Sequence, residues 1–308
     1  MGRPPKIENG LASHPSFWSE EELPRTPQKL PDKNFQSLRY PLWTQNKARL
    51  IQEYLRLFEF ITHHGTYIDG FAAPQSHGHP EAWSAKLVLE TEPKWFREFW
   101  LCDIDPTGIA KLQQLKAEHE NEKRRVEVLP GDFNESVTTI LSAGTIGEKT
   151  ATFALLDQRT FECEWQTVVA LSKHKKATKI EIFYFFPTGW IDRSLAALKA
   201  DKTKQKVERW WGRSDWASLR RMDSTVRATM VAKRFETELG YGKATVYPIH
   251  SERRHGRVMY HMIHATDHPE ASPLMVRAYR KVSGRSELSE EKQIDFDDLL
   301  KKLEGDED

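Results

Sequence analysis

Five short apolar runs, separated by stretches of helical periodicity, constrain the fold of this 308-residue chain more than any other feature. The runs occupy residues 66–69, 98–103, 125–130, 152–157 and 179–186. The helical stretches between them are Ser84–Glu90, Thr107–Glu120, Asn134–Leu141 and Trp165–Lys173. Strands that alternate with helices are typical of a parallel sheet covered on both faces. We therefore predict an α/β fold with a mainly parallel sheet.

Acidic residues follow four of the five predicted strands. Asp69, Asp103 and Asp157 end their runs, and Asp132 comes two residues after its run. In an open parallel sheet, ligands bind outside the carboxyl ends of the strands. The sequence therefore predicts a ligand site at this edge of the sheet.

Each of the first three acids has a functional and a purely structural interpretation. The glycine in Asp69-Gly70-Phe71 permits a tight turn close to a ligand, but the segment also fits an ordinary loop. Asp103 can accept hydrogen bonds from the ribose hydroxyls of an adenosine-containing ligand, whereas Asp105 is placed to cap the next helix. Asp132-Phe133 can set an acid and a ring beside an adenine, or Asp132 can simply cap a helix.

The rest of the chain predicts one large domain with two unlike ends. Residues 1–42 contain several prolines and indicate an extended or partly disordered arm, and a long helix begins at Thr44 as its N-cap. The domain covers 43–283, with a helical, basic, Trp-rich insertion at about 189–239. The sheet is expected to close with a strand pair at 243–249 and 256–266 that includes an antiparallel strand. A helix at about 270–282 and an acidic tail at 284–308 complete the prediction.

Charge is unevenly distributed although the formal net charge is only +1. Residues 193–234 contain 12 Lys/Arg against 4 Asp/Glu, and residues 287–308 contain 10 acids against 3 bases. Cations interleaved with aromatic rings can neutralise phosphates and stack on bases. The alternative is an amphipathic helix whose tryptophans enter the core. The candidate nucleic-acid residues are Arg209, Trp210, Trp211, Arg213, Trp216, Arg220 and Arg221.

Several classes of protein are disfavoured by composition. No apolar run approaches the roughly 20 residues of a membrane span, and the first residues lack the apolar region of a signal peptide. Cys102 and Cys163 are too few for a disulfide framework or a zinc site of their own. His261 and His264 point to opposite faces of a strand, so no metal is expected. A cytoplasmic location is expected.

An ordered set of motifs carries a family resemblance. "YIDGFAAP", "EAWSAKLVLE", "CDIDP", "GDFN" and "FALLDQRTFECEW" resemble, in order and spacing, the three-Cys-motif partner proteins (TcmP). That family is bacterial and has a Rossmann-like, S-adenosylmethionine-dependent methyltransferase fold. The resemblance covers roughly residues 43–283. The chain is more distantly similar to adenine-N6 methyltransferases that act on large-subunit ribosomal RNA.

The resemblance implies roles for residues on the first three strands. Asp69, Gly70 and Phe71 match the start of the cofactor loop, Asp103 matches the acid that binds ribose, and the Asp132-Phe133 pair matches the adenine side. The implied cofactor is S-adenosylmethionine. The loop departs from the family pattern, because alanine and glutamine stand at 73 and 75 where glycines are usual.

The end of the fourth strand departs further. Amino-methylating enzymes commonly place Asp or Asn before two prolines and an aromatic ring there, whereas this chain has Asp157-Gln158-Arg159-Thr160-Phe161. The catalytic candidates are Asp157, to orient an amine, Gln158, and Phe161, to stack on a base. Two functions follow. The first is a degenerate methyltransferase-like protein that binds a nucleotide or nucleic acid and acts with a three-Cys-motif (radical-SAM-like) partner. The second is an active nucleic-acid amino-methyltransferase.

Overall fold

A computed structural model describes residues 42–74, 79–121, 123–188, 191, 195, 201–250 and 258–283. The predicted arm, apart from its last residue, and the predicted acidic tail lie outside these residues. So does Gln75 of the candidate cofactor loop.

In the described residues, seven strands form one sheet; numbered along the chain with the bounds given below, their order is β3-β2-β1-β4-β5-β7-β6. Strands β1 to β5 run parallel, and β7 is antiparallel to both β5 and β6. The predicted α/β fold with a mainly parallel sheet and antiparallel closing strands is confirmed. The strand bounds are β1 Gly65–Asp69, β2 Phe96–Asp103, β3 Arg125–Pro130, β4 Thr152–Leu156, β5 Glu181–Phe186, β6 Lys243–His250 and β7 Val258–Thr266.

The α-helices begin and end close to their predicted positions. Asp105 and Asp132 accept hydrogen bonds from backbone N–H groups and so cap the helices that follow β2 and β3. The first helix begins at Leu42, two residues before the predicted cap Thr44. The described bounds are α1 Leu42–Thr62, α2 Ser84–Glu90, α3 Pro106–His119, α4 Phe133–Ser142, α5 Trp165–Lys173, α6 Asp201–Trp211, α7 Ser224–Thr237 and α8 Ala271–Ser283, with 3-10 helices at Pro80–Ala82 and Ser214–Arg221. In the described part of the chain, none of the helices is long and apolar enough to cross a membrane.

Both faces of the sheet are buried, because helices cover each of them. Successive side chains of a strand point to opposite faces and so enter two different cores. Tyr67 and Phe153 face a core that is closed by α1, α2, α3 and α8. Ile68 and Ala154 face a second core that is closed by α4, α5, α6 and α7. Strands buried on both faces explain why the sequence shows continuous apolar runs and not alternating ones.

The chain reverses direction across the sheet between β1 and β4. From β1 the chain proceeds outward through β2 to β3, then returns to place β4 on the other side of β1. In doubly wound sheets the ligand crevice lies outside the carboxyl ends of the strands at this switch point. The residues at these ends are Asp69 and Asp157.

The tryptophans of the basic insertion correct part of the sequence prediction. Trp210 is 1% exposed and stacks on Phe186 at 5.8 Å between ring centroids. Trp211 is 2% exposed, and the Arg234 guanidinium lies 4.5 Å from its ring centroid. The prediction that these two rings stack on bases is therefore wrong, since both belong to the core. Their burial agrees with the amphipathic-helix alternative.

Replacement of Trp210 by alanine should remove about 3–5 kcal/mol from the free energy of unfolding, the usual cost of emptying a large aromatic site in a core. Trp216→Ala should cost clearly less, because Trp216 is only half-buried. Urea unfolding of both variants measures the difference. An equal loss in the two variants would contradict the packing described for α6.

Candidate functional site

Asp69 ends β1 in a buried position, with 1% of its surface exposed. The Tyr67 hydroxyl donates to its Oδ2 at 2.9 Å, and the Phe71 backbone N–H donates to its Oδ1 at 3.1 Å. Burial raises the pKa of Asp69 to about 7, and the nearby carboxylates of Asp157 and Asp103 add to this, while the hydrogen bonds oppose it. Asp69 therefore holds the loop after β1 and changes its charge near neutral pH.

The loop after β1 uses its backbone donors inside the protein. The N–H groups of residues 70, 72 and 73 donate to Leu155 O at 3.1 Å, Cys102 O at 2.8 Å and Asp103 Oδ2 at 2.8 Å. Together with the bond from Phe71 to Asp69, these interactions tie the loop to the ends of β1, β2 and β4. The loop is therefore held in place at the carboxyl ends of the strands. Its backbone N–H groups at 70–73 already donate to other groups of the protein.

Gly70 is required by close packing. A Cβ atom on Gly70 would lie 2.7 Å from the ring of Phe133. The Phe133 ring is buried and lies 6.0 Å from the ring of Phe71. The expectation that Phe133 covers the face of an adenine is therefore wrong, because this ring is buried and packs against the loop.

Asp103 lies at the end of β2 and is half-buried. One of its oxygens accepts the Ala73 N–H, and the other accepts the Asp105 N–H at 2.9 Å. Each carboxylate oxygen has a further lone pair that can accept a hydrogen bond from a ribose hydroxyl. The neighbouring Ile104 side chain is 73% exposed. The sequence interpretation missed this residue, although an apolar side chain between two acids just beyond a strand is a usable signal.

Asp132 lies at the exposed rim of the edge. Its Oδ1 accepts the backbone N–H of Asn134 at 2.9 Å and the Asn134 side-chain amide at 2.8 Å. The capping interpretation is therefore observed. Because the Asp132 carboxylate is exposed, a ligand can still approach it from the solvent.

Asp157 follows β4 and is in contact with a lysine from the first helix. The Lys47 Nζ lies 2.7 Å from Oδ1 and 2.5 Å from Oδ2, and the two residues are 1% and 7% exposed. Burial raises the pKa of Asp157, and the Lys47 ammonium opposes the rise. The sequence interpretation missed Lys47. With 110 positions between the two residues, no local pattern could have indicated it.

The other two catalytic candidates are engaged in structural contacts. The Gln158 side-chain amide is buried, donates to Phe185 O at 3.2 Å and accepts the Cys163 N–H at 3.1 Å. Phe161 is buried against Trp210 with 4.8 Å between ring centroids. The expectation that Phe161 stacks on a base is therefore wrong, and Gln158 holds the turn after β4 in place.

The arginines predicted to contact nucleic acid differ in their surroundings. Arg209 forms an ion pair with Glu164 at 2.6 Å, and Arg213 forms one with Glu238. Arg220 lies over the half-buried Trp216 ring at 5.7 Å. Arg221 is exposed. Because Arg209 and Arg213 are already paired with carboxylates, the segment offers an anion fewer cationic groups than its composition indicates.

A recess lies away from the carboxyl ends of the strands. It has a volume of about 660 Å³, lies beside the edge strand β3 and is lined by Trp100, Arg125, Glu127, Thr138, Thr139, Ser142 and Ala143. None of the predicted site residues lines it. In the described part of the chain, no three His, Cys, Asp or Glu side chains are grouped so that they could hold a metal ion.

Comparison with known proteins gives no family assignment. No protein-family model matches the chain, and no curated protein matches it. Among solved structures, Trm5b from Pyrococcus abyssi has 14% identity over 71% of this chain and 48% of that chain, with a TM-score of 0.35. TYW2 from P. horikoshii, solved with MeSAdo, has 13% identity over 76% and 64%, with a TM-score of 0.35. A DUF574-family protein from Streptomyces avermitilis has 14% identity over 73% and 83%, with a TM-score of 0.42.

The chain thus spans about half of the length of the P. abyssi protein. Since all three TM-scores lie below 0.5, the fold assignment depends on the order and direction of the strands. A doubly wound sheet whose antiparallel strand β7 lies between β5 and β6 has the methyltransferase-like α/β architecture.

Asp69→Asn should become more stable relative to the parent protein as pH rises from about 4 to 7. Folded Asp69 keeps its proton to about pH 7, whereas unfolded aspartate releases it near pH 4. Its contribution to stability is therefore fully present below pH 4 and is lost as pH approaches 7. At 1.36 kcal/mol for each of the roughly three pH units between the two pKa values, the change amounts to about 4 kcal/mol.

Urea unfolding of the variant and the parent at pH 4.5, 6 and 8 measures this change. Asp132→Asn is the matched control, because Asp132 is an exposed carboxylate on the same edge. A stability difference between Asp69→Asn and the parent that stays constant with pH would contradict the raised pKa.

Proposed function

We propose that the chain binds an adenosine-containing ligand, S-adenosylmethionine or its demethylated product, at the switch point of the sheet. We further propose that the isolated chain does not methylate a foreign amine there. The observation that carries the second statement is the Lys47 ammonium in contact with both oxygens of Asp157. The acid that would orient a substrate amine is paired with an amine of the chain itself.

The first three strands support the ligand side of the proposal. Asp103 is half-buried at the end of β2 and keeps lone pairs for ribose hydroxyls. The exposed Ile104 beside it offers an apolar surface to a base. Above a pH of about 7, Asp69 adds a negative charge to this edge, which favours a sulfonium cation over a neutral analogue. Asp132 is exposed at the rim, where a ligand can approach its carboxylate from the solvent.

The fourth strand supports the absence of transfer. Methyl transfer requires the amine to be held in line with the donor, and such positioning supplies about 7–11 kcal/mol of the barrier. Asp157 is occupied by Lys47, Gln158 is bonded to the backbone, and Phe161 is covered by Trp210. Since these three side chains are engaged, none of the predicted catalytic residues is left to hold or stack a foreign nucleobase.

Two finer parts of the proposal depend on other observations. Contact with a nucleic acid depends on the exposed arginines of 209–221, chiefly Arg221, without stacking by Trp210 and Trp211. Cooperation with a three-Cys-motif (radical-SAM-like) partner depends on the TcmP resemblance alone. The competing function, an active nucleic-acid amino-methyltransferase, requires Lys47 to leave Asp157 when substrate binds.

Calorimetric titration with S-adenosylhomocysteine should show one site per chain. Asp103→Ala should weaken binding by about 1.5–3 kcal/mol, the range for a hydrogen bond to a charged group. Asp105→Ala is the matched control, because it removes the α3 cap and leaves the ribose acid in place. Absence of binding by the parent would refute the ligand site. An equal loss in both variants would reduce Asp103 to a structural role.

Radiolabelled methyl transfer from S-adenosylmethionine to total cellular RNA and DNA should stay at background for the isolated chain. The physical reason is that displacing Lys47 leaves a buried carboxylate uncompensated, at a cost of about 3–5 kcal/mol. Robust labelling of nucleic acid that disappears in Asp157→Ala would overturn the non-catalytic proposal and establish the competing function.

A further inference from the structure

Among the described residues, the Lys47 ammonium contacts one carboxylate and lies near two aromatic rings. Asp157 contacts Nζ through both carboxylate oxygens. The Phe185 ring centroid lies 4.4 Å from Nζ, and the Tyr260 ring centroid lies 5.9 Å from it. All four side chains are buried. A carboxylate and aromatic ring faces are groups that attract an ammonium cation.

Another buried lysine shows that this arrangement is not simply what burial of a lysine requires. Lys175 is 3% exposed, and its Nζ donates to the carbonyl oxygen of Thr150 at 2.7 Å. In the described part of the chain, no carboxylate or ring contacts the Lys175 ammonium directly, and the charge of Glu148 acts on it only from a longer distance. A lysine can thus be buried in this protein by a carbonyl contact, whereas Lys47 is held by groups selective for positive charge.

We propose that Asp157, Phe185 and Tyr260 form a binding site for an alkylammonium ligand, and that Lys47 is its tethered occupant. The site takes a protonated primary amine, the group at the end of the Lys47 side chain. It favours such a cation over the exocyclic amine of a nucleobase. That amine is neutral, so it can donate a hydrogen bond to the carboxylate but lacks the positive charge that the carboxylate and the rings attract. This inference goes beyond the adenosine site and does not depend on it.

The tether determines how a free ligand would bind to the parent chain. A ligand amine has to displace Lys47. Its apparent affinity is therefore the intrinsic affinity multiplied by the small fraction of molecules in which Lys47 has left the site. Because Lys47 lies in the second turn of α1, occupancy of the site by a free amine is coupled to displacement of that end of the helix. Truncation of Lys47 removes the competitor and should leave the site open.

The test is chemical rescue of Lys47→Ala in the full chain with n-propylammonium chloride. Propylammonium supplies the three carbons and the ammonium that the substitution removes. We expect the urea midpoint of Lys47→Ala to be lower than that of the parent and to rise saturably with propylammonium, since a ligand that binds only the folded state stabilises it. Equal concentrations of sodium chloride and of 1-propanol should not reproduce the rise.

Two variants complete the design. Lys175→Ala is the matched buried-lysine control and should show no saturable response to propylammonium. The double variant Lys47→Ala/Asp157→Asn should lose the response, because the anion of the site is gone. If Lys47→Ala is unfolded alone, folding on addition of propylammonium supports the proposal. Failure of propylammonium to restore it, or an equal response from 1-propanol or from Lys175→Ala, overturns the proposal.

Discussion

The ion pair between Lys47 and Asp157 joins the first helix to the edge of the sheet at which the chain reverses. Removing one member of a buried pair typically costs about 3–5 kcal/mol, because the other charge stays out of water without compensation. The pair therefore fixes the start of α1 against the end of β4. It also determines what Asp157 can bind, since the nearest cation already belongs to the chain.

Further polar contacts hold α1 to the same face of the sheet. The Tyr54 hydroxyl donates to Glu181 at the start of β5, and His264 lies 2.9 Å from that carboxylate. Near the other end of the helix, Glu59 accepts the Phe96 N–H at 2.7 Å. Burial raises the pKa of Glu59 to about 7, against the effect of its backbone hydrogen bonds. Apolar packing positions the helix, and these groups define how far along the sheet it lies.

The sequence by itself determined the strands, most helix ends and the edge of the sheet where acids collect. These features depend on local chemistry. An apolar run makes a doubly buried strand, and Asp105 caps the helix that begins at the next residue. Asp69, Asp103 and Asp157 could be placed at one edge because parallel strands bring their carboxyl ends together. The antiparallel strand pair was also readable, from two apolar runs of strand length.

Only the tertiary structure decided which of the candidate side chains are buried in the core. Trp210, Phe161 and Phe133 have the composition of stacking rings, yet each fills a core position whose walls come from distant segments. The partner of Asp157 is Lys47, which lies 110 residues earlier in the chain. Periodicity and motif spacing carry information over a few turns or one strand. The pairing of two charges from distant segments depends on how the helices and strands pack together. For this physical reason the sequence could place Asp157 at the end of its strand but could not identify Lys47 as its partner.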